Sequence, residues 1–118
     1  MSRDIIVQDL PRDIRGVEDI PGDFIPGAIE PTRTAVIAAI RAEVPGADFT
    51  DPAWGVIASP GQYHIEANLG AVEELDSFVF HIRGGPEADA LISRVLRRLN
   101  LRALDTDSES GLFEHPSA

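Results

Sequence analysis

The stretch YHIEANLG, residues 63–70, changes side-chain character at every step. Its apolar and polar positions alternate, with Tyr63, Ile65, Ala67 and Leu69 on one side and His64, Glu66 and Asn68 on the other. A period of two is typical of a β-strand with one face packed and the other solvated. The stretch therefore predicts a strand, and its polar row is either a working site or the wet side of a sheet.

Two further strand-like runs flank this one, WGVIA (54–58) and DSFVFHIR (76–83), so that QYHIEANL (62–69) is the middle of three. Pro60-Gly61 fits the centre of a type II turn, because proline sets the first φ and glycine tolerates the positive second φ. In the last run Phe78, Phe80 and Ile82 alternate with Val79, His81 and Arg83. The short links between consecutive strands predict an antiparallel meander.

Two amphipathic segments bracket the meander. The first begins at Pro31, which suits the first turn of a helix, and it ends before Pro45-Gly46. The second begins at Gly84-Gly85-Pro86 and ends at Asn100, a residue that suits a left-handed cap. Apolar residues recur at helical spacing in both: Val36, Ile37, Ile40 and Val44, then Ala88, Leu91, Ile92, Val95, Leu96 and Leu99. Each helix has a single apolar stripe and needs one side of a sheet.

The remaining segments complete the sheet. DIIVQD (4–9) and LRALD (101–105) are predicted strands, and GLF (111–113) is predicted to return beside the latter as a short hairpin. Residues 10–30 are rich in proline and glycine, which predicts an extended connection. Because that connection also carries scattered apolar residues, we expect it to lie against the body. Residues 115–118 are predicted to be a loose tail.

The order of elements predicts an α+β fold, a single domain over residues 1–118. It is a β-loop-α-β-β-β-α-β-β two-layer sandwich, with a mostly antiparallel sheet and two helices packed on one face. The other face is then left to solvent or to a partner. Five polar residues are predicted to lie there: His64, Glu66, Asn68, His81 and Arg83.

The composition narrows the classes of function. The formal net charge is -10, all ten basic residues are arginine, and cysteine is absent. An acidic surface repels free nucleic acid and attracts a basic protein. The absence of cysteine removes disulfides, thiolate nucleophiles and cysteine-ligated zinc. With no signal-like or membrane-length apolar run, we expect a cytoplasmic protein that binds neither nucleic acid nor membranes.

One group of residues could support chemistry. His64, Glu66 and His81 could converge, because residues two apart on a strand share a face and neighbouring strands lie about 4.8 Å apart. Two imidazoles and a carboxylate could bind zinc or a ferrous ion, or act as acid and base. A flat sheet face excludes water poorly, which favours a solvated or partner-covered surface instead.

Other features predict structural roles. Arg83-Gly84-Gly85 lacks the spacing of a phosphate-binding loop, and its glycines indicate a tight turn with close packing. Asp48, Thr50 and Asp51, like the acidic run 105–109, lack the spacing of a calcium loop and indicate turn capping. Trp54 and Tyr63, each unique in the chain, are predicted to pack in the core or at its edge.

The stretches DSFVFHIRGG and LRALDTDSESGLFE, together with VPGADFTDPAWG ahead of YHIEANLG, resemble a family of small uncharacterised bacterial proteins. The shared pattern is a strand ending in Arg-Gly-Gly, a helix, an Ala-Leu-Asp strand, a short polar turn of Thr-Gly type and a final aromatic residue, and it covers most of residues 44–114. The resemblance implies an immunity-like or toxin-neutralising role and implies no catalytic residue. Residues 107–110 depart from the pattern, being longer and more acidic than the family's turn.

These observations predict a non-enzymatic, acidic protein-binding module of immunity or antitoxin type, without cofactor, metal ligands or catalytic residues. Its partner is a protein, either a basic one or a second copy of the chain. The alternative is a small metal-dependent or acid–base enzyme that uses the His/Glu cluster of the polar sheet face.

Overall fold

The structure, a computed structural model, describes residues 3–11, 13–25 and 27–113. Its strands are β1 (Arg3–Gln8), β2 (Trp54–Ser59), β3 (Tyr63–Asn68), β4 (Ser77–Gly84) and β5 (Arg102–Asp105), and its helices are α1 (Arg33–Glu43) and α2 (Pro86–Leu99). A 3-10 helix, Val17–Asp19, interrupts the long connection. No helix within these ranges has the length and apolar character that crossing a membrane requires.

The five strands form one antiparallel sheet in the order β2-β3-β4-β1-β5. The predicted meander accounts for its first three strands. The turn between β2 and β3 is closed by a hydrogen bond from Gln62 N–H to the Ser59 carbonyl, 2.9 Å, and Gly61 has a φ of 81°. Both agree with the predicted type II turn.

Both helices lie on one face of the sheet, which confirms the predicted α+β fold. The main core is made of the inward side chains of the strands and one stripe from each helix, and its most completely buried members include Ile5, Ile40, Ile65, Phe80 and Ile92. Phe78 and Phe80 meet edge to face, with ring centroids 5.5 Å apart. The alternation seen in the sequence therefore separates core from surface along the central strands.

The helix ends differ slightly from the prediction. α1 begins at Arg33 and not at Pro31, because Thr32 is its N-cap and accepts a 3.2 Å hydrogen bond from the Ala35 N–H. A threonine side chain can satisfy an unpaired first-turn donor, which proline cannot. At the end of α2, Asn100 takes the predicted left-handed conformation, with φ 55° and ψ 46°.

The long connection covers part of the face that the prediction left open. Leu10, Ile14 and Leu112 form a second buried cluster, with Ile20, Phe24 and Leu104 packed against it. Leu104 pairs with Ile6 on the side of the sheet away from the helices. The expectation that this whole face is open was therefore wrong at the β5 end, whereas the expectation that the connection lies against the body is confirmed.

The C-terminal segment pairs less extensively than predicted. Residues 111–113 return beside β5, but they form only a single bridge, between Leu104 and Leu112, and not a further strand. Hydrogen bonds from Asp105 N–H to the Gly111 carbonyl and from Phe113 N–H to the Ala103 carbonyl cover that edge of the sheet. The predicted loose tail, residues 115–118, lies outside the described residues.

A charged group joins three elements at one end of the core. Arg3 of β1 forms an ion pair with Asp89 of α2, and its Nε lies 3.6 Å from Oδ1 of Asp105 in β5. Asp105 is 8% exposed. A buried carboxylate is tolerated where a guanidinium and a backbone donor face it, and here the Asp107 N–H also donates to Asp105. The group therefore ties the first strand to the last helix and strand.

A second charged group joins the two helices. Glu43, at the end of α1, accepts hydrogen bonds from Nε of Arg94 at 2.7 Å and from Nε of Arg98 at 2.6 Å. The hydrogen bond from Arg98, followed by that from Arg94, lowers the pKa of Glu43 below its ordinary value. The carboxylate form of Glu43 is thus favoured in the folded protein.

We expect the Glu43 pair to make a pH-dependent contribution to stability. A carboxyl group whose folded pKa is depressed stabilises the fold above its unfolded pKa, and that contribution is lost as the pH falls through the folded value. Urea unfolding of the protein and of Glu43→Gln between about pH 6 and pH 3 should show a shallower acid decline for the variant. Parallel declines would contradict this account.

Candidate functional site

All five predicted polar residues lie on the sheet face away from the helices, here called the outer face. The strand register places His64 opposite Arg83, Glu66 opposite His81, and Asn68 opposite Val79. Asp4 of β1 stands on the other side of His81. We call the group of His64, Glu66, Asn68, His81 and Arg83, together with Asp4 and Trp54, the outer patch.

Four members of the outer patch surround a shallow depression of about 240 Å³: His64, Glu66, His81 and Arg83. The register needed to bring His81 beside Glu66 is therefore present. The side chains nevertheless form two separate pairs. His64 Nε2 lies 3.4 Å from Glu66 Oε2, and His81 Nδ1 lies 2.7 Å from Asp4 Oδ1.

The Asp4 contact determines how His81 presents itself. A carboxylate only accepts hydrogen bonds, so Nδ1 of His81 is the donor to Asp4. The other ring nitrogen, Nε2, takes no part in this contact. The indole of Trp54 stacks on the same imidazole, with centroids 5.6 Å apart and planes inclined by 23°. His81 is thus held on two sides, as an oriented imidazole at an otherwise polar surface.

Trp54 does not have the role that the sequence predicted. It was expected in the core or at its edge, but it lies on the outer face and is 37% exposed. WGVIA has no apolar–polar alternation, so its sequence gives no sign of which residues point outward. Trp54 is assigned to the outer face only by its pairing with Asn68, which the alternation along β3 places on that face.

The outer patch has the residue types of a metal site but not the geometry. In the ranges that the structure describes, no group of three or more His, Cys, Asp or Glu side chains is placed to hold a metal ion. The pairing of His81 with Asp4 is the physical reason, because it directs one imidazole towards β1 while His64 pairs with Glu66 on β3. What the arrangement provides instead is a polar, partly aromatic surface with hydrogen-bonding capacity.

The other motifs have structural explanations. Gly84 has a φ of 149°, and a Cβ built on it would lie 2.6 Å from the Cβ of Tyr63, so this glycine serves a tight strand end. Asp48 accepts hydrogen bonds from the N–H and the hydroxyl of Thr50. Those bonds, the backbone one first, lower the pKa of Asp48 and identify it as a turn cap.

The most acidic loop of the meander, residues 70–76, lies at the helix side of the molecule. Glu73 accepts hydrogen bonds from the hydroxyl and the N–H of Thr34, which lower its pKa, the hydroxyl contributing most. Arg33 N–H donates to the Glu73 carbonyl, 2.9 Å, and its guanidinium donates to the Gly70 carbonyl, 3.0 Å. The loop is therefore fastened to the start of α1 and not to the outer patch.

Comparison of the chain with protein-family models, with curated proteins and with solved structures gives no match.

Proposed function

We propose that this protein is a non-enzymatic, acidic protein-binding module of immunity or antitoxin type that acts in the cytosol. Its contact surface is the outer patch. One observation carries the proposal: an exposed Trp54 stacks on His81 on the sheet face that neither helix covers, and His81 borders the same depression as Arg83. Tryptophan and arginine are enriched among the residues that dominate binding energy in protein interfaces.

The surroundings of the patch fit an interface better than a catalytic cleft. Half-buried apolar side chains, Ile6, Val56 and Val79, lie beside its polar residues on the same face. Protein interfaces usually combine apolar contact area with polar groups, and the outer patch offers both. The depression, by contrast, is small and walled by polar side chains, whereas pockets for small molecules are mostly apolar.

The net charge of -10 favours a basic protein partner. Opposite charge accelerates association over long range, and salt screens that acceleration. If the partner is basic, its association rate should fall steeply between low and physiological ionic strength. A rate that is insensitive to salt would argue for an apolar interface instead.

A site-specific cross-linking experiment tests the location of the contact. A photo-reactive amino acid is placed at Asn68 in the outer patch and, as the control, at Ala38 on the exposed side of α1. Irradiation in the native cell should give adducts with a protein chain from position 68 and not from position 38. Equal labelling from both positions, or none from position 68, would contradict the proposed contact surface.

A small acid–base or metal-dependent enzyme remains the second candidate, because the Asp4–His81 pair borders a depression that also contains Glu66. We expect the purified protein to contain no stoichiometric transition metal, since the imidazoles pair separately. Elemental analysis checks this. About one zinc or iron per chain, lost on His81→Ala but kept on Asn68→Ala, would replace the binding proposal with the enzymatic one.

A further inference from the structure

Two residues of opposite charge, Arg83 and Glu66, lie at opposite corners of the outer patch. On β3 and β4, His64 stands opposite Arg83 and Glu66 stands opposite His81, so Arg83 and Glu66 occupy one diagonal of a two-by-two block. Diagonal neighbours in an antiparallel pair are about 7–8 Å apart. Among the residues that the structure describes, Arg83 forms no ion pair or side-chain hydrogen bond. The Glu66 carboxylate has a polar contact with His64, at 3.4 Å.

This diagonal is self-complementary. In an interface with two-fold symmetry the same patch is used by both chains, so that if residue i meets residue j, residue j also meets residue i. A two-fold axis that lies in the plane of the interface, along the His64–His81 diagonal, places Arg83 of one chain over Glu66 of the other and the reverse. Each guanidinium then enters the depression of the other chain beside its Glu66, and the two ion pairs form together.

We propose that the outer patch binds a second copy of this chain, face to face, through reciprocal Arg83–Glu66 pairs. This inference rests on the proposed function, since it names the partner of the same surface. In the dimer each depression is completed by an arginine of the other copy. Two copies of a chain of charge -10 repel each other over most of their surface, and the outer patch is less acidic because Arg83 offsets one of its two acids, Asp4 and Glu66.

Two further observations favour this packing. The acidic loop 70–76 is hydrogen-bonded to the start of α1, so the dimer leaves it on the far side, where the repulsion between copies is weakest. The sheet edges are unsuited to edge-to-edge pairing. Asp48 bridges to Val56 at the β2 edge, and residues 111–113 lie along β5. Contact between two sheets therefore falls to the outer face and not to an edge strand.

Charge exchange in trans tests the proposal by sedimentation equilibrium across the micromolar range. The unaltered protein should dimerise, and Arg83→Glu or Glu66→Arg should raise the dissociation constant by about 100-fold or more, because both pairs become repulsive. An equimolar mixture of the two variants should dimerise again, since the carboxylate introduced at position 83 of one chain then meets the guanidinium introduced at position 66 of the other. The control, Ala38→Glu with Ala42→Glu, makes the same change in net charge as Arg83→Glu on the exposed side of α1 and should leave dimerisation intact.

Recovery in the mixture cannot arise from misfolding of either variant, so it supports the reciprocal pairs directly. Three outcomes would overturn the inference: an unaltered protein that is monomeric throughout, an Arg83→Glu protein that dimerises normally, or variants that do not recover on mixing. If the chain is monomeric while position 68 cross-links to a different, basic protein, the second-copy inference fails and the proposed function stands. Monomeric behaviour without any cross-link defeats both.

Discussion

Phe80→Ala is expected to lower the free energy of unfolding by about 3–5 kcal/mol, the usual cost of removing a fully buried aromatic side chain. Phe80 has no exposed surface and lies in the main core, edge to face with Phe78. Its neighbours on β1 and β3 are Ile5 and Ala67, which cannot expand to fill the space. Since the free energy of unfolding of such domains is about 5–15 kcal/mol, the variant should be only marginally stable. Urea denaturation measures the change.

The adjacent residue provides the matched control. Val79 lies next to Phe80 in the chain but points to the outer face, where it is half-buried. Val79→Ala should therefore cost about 1 kcal/mol or less. Comparable losses for the two variants, or a larger loss for Val79→Ala, would mean that the two faces of the central strands have been assigned the wrong way round.

Gly84→Ala is the second large expected effect, a destabilisation of about 2–4 kcal/mol from backbone strain combined with overpacking. Gly84 has a φ of 149°, a conformation that side chains rarely adopt. A Cβ there would lie 2.6 Å from the Tyr63 Cβ and 2.9 Å from the Gln62 carbonyl oxygen. Because the second of these contacts is with backbone, the strand end must shift to accommodate the methyl group. Thermal and urea unfolding measure the loss.

Gly85→Ala is the control for Gly84→Ala. Gly85 has a φ of -109°, and the only contact of a Cβ there would be Glu87 Oε2 at 3.7 Å, an ordinary van der Waals distance. We expect a change within about 0.5 kcal/mol. A greater loss at Gly85 than at Gly84 would show that the pair serves the helix start and not the strand end.

The outer patch shows which site residues the alternation of apolar and polar positions can predict. The alternation in YHIEANLG and DSFVFHIR predicts correctly that His64, Glu66, Asn68, His81 and Arg83 share one face, because the side-chain direction in a strand depends only on position along it. Their role in binding a partner stays a prediction. Asp4 and Trp54, which orient His81, were missed. Asp4 is 77 residues from His81 in the chain, and nothing local indicates that β1 lies beside β4.

The place where the long connection covers the outer face could not be predicted from the sequence pattern either. Residues 10–24 have no regular period, so their apolar content predicts contact with the body but not its location. The guanidinium of Arg102 contributes to that location by donating to the carbonyls of Pro11 and Ile14, each at 3.0 Å. A long-range contact of this kind depends on the strand order, which places β5 next to β1.

Sequence alone was sufficient for the two helices and five strands, the inward and outward sides of β3 and β4, the turn at Pro60-Gly61, the left-handed Asn100 and the α+β class, because each depends mainly on residues close along the chain. The strand order, the Asp4–His81–Trp54 contacts, the diagonal of Arg83 and Glu66, and the extent of the open face came only from the tertiary structure. The physical reason is that burial of apolar surface is non-directional: it requires a core but does not specify which distant strands pair to enclose it.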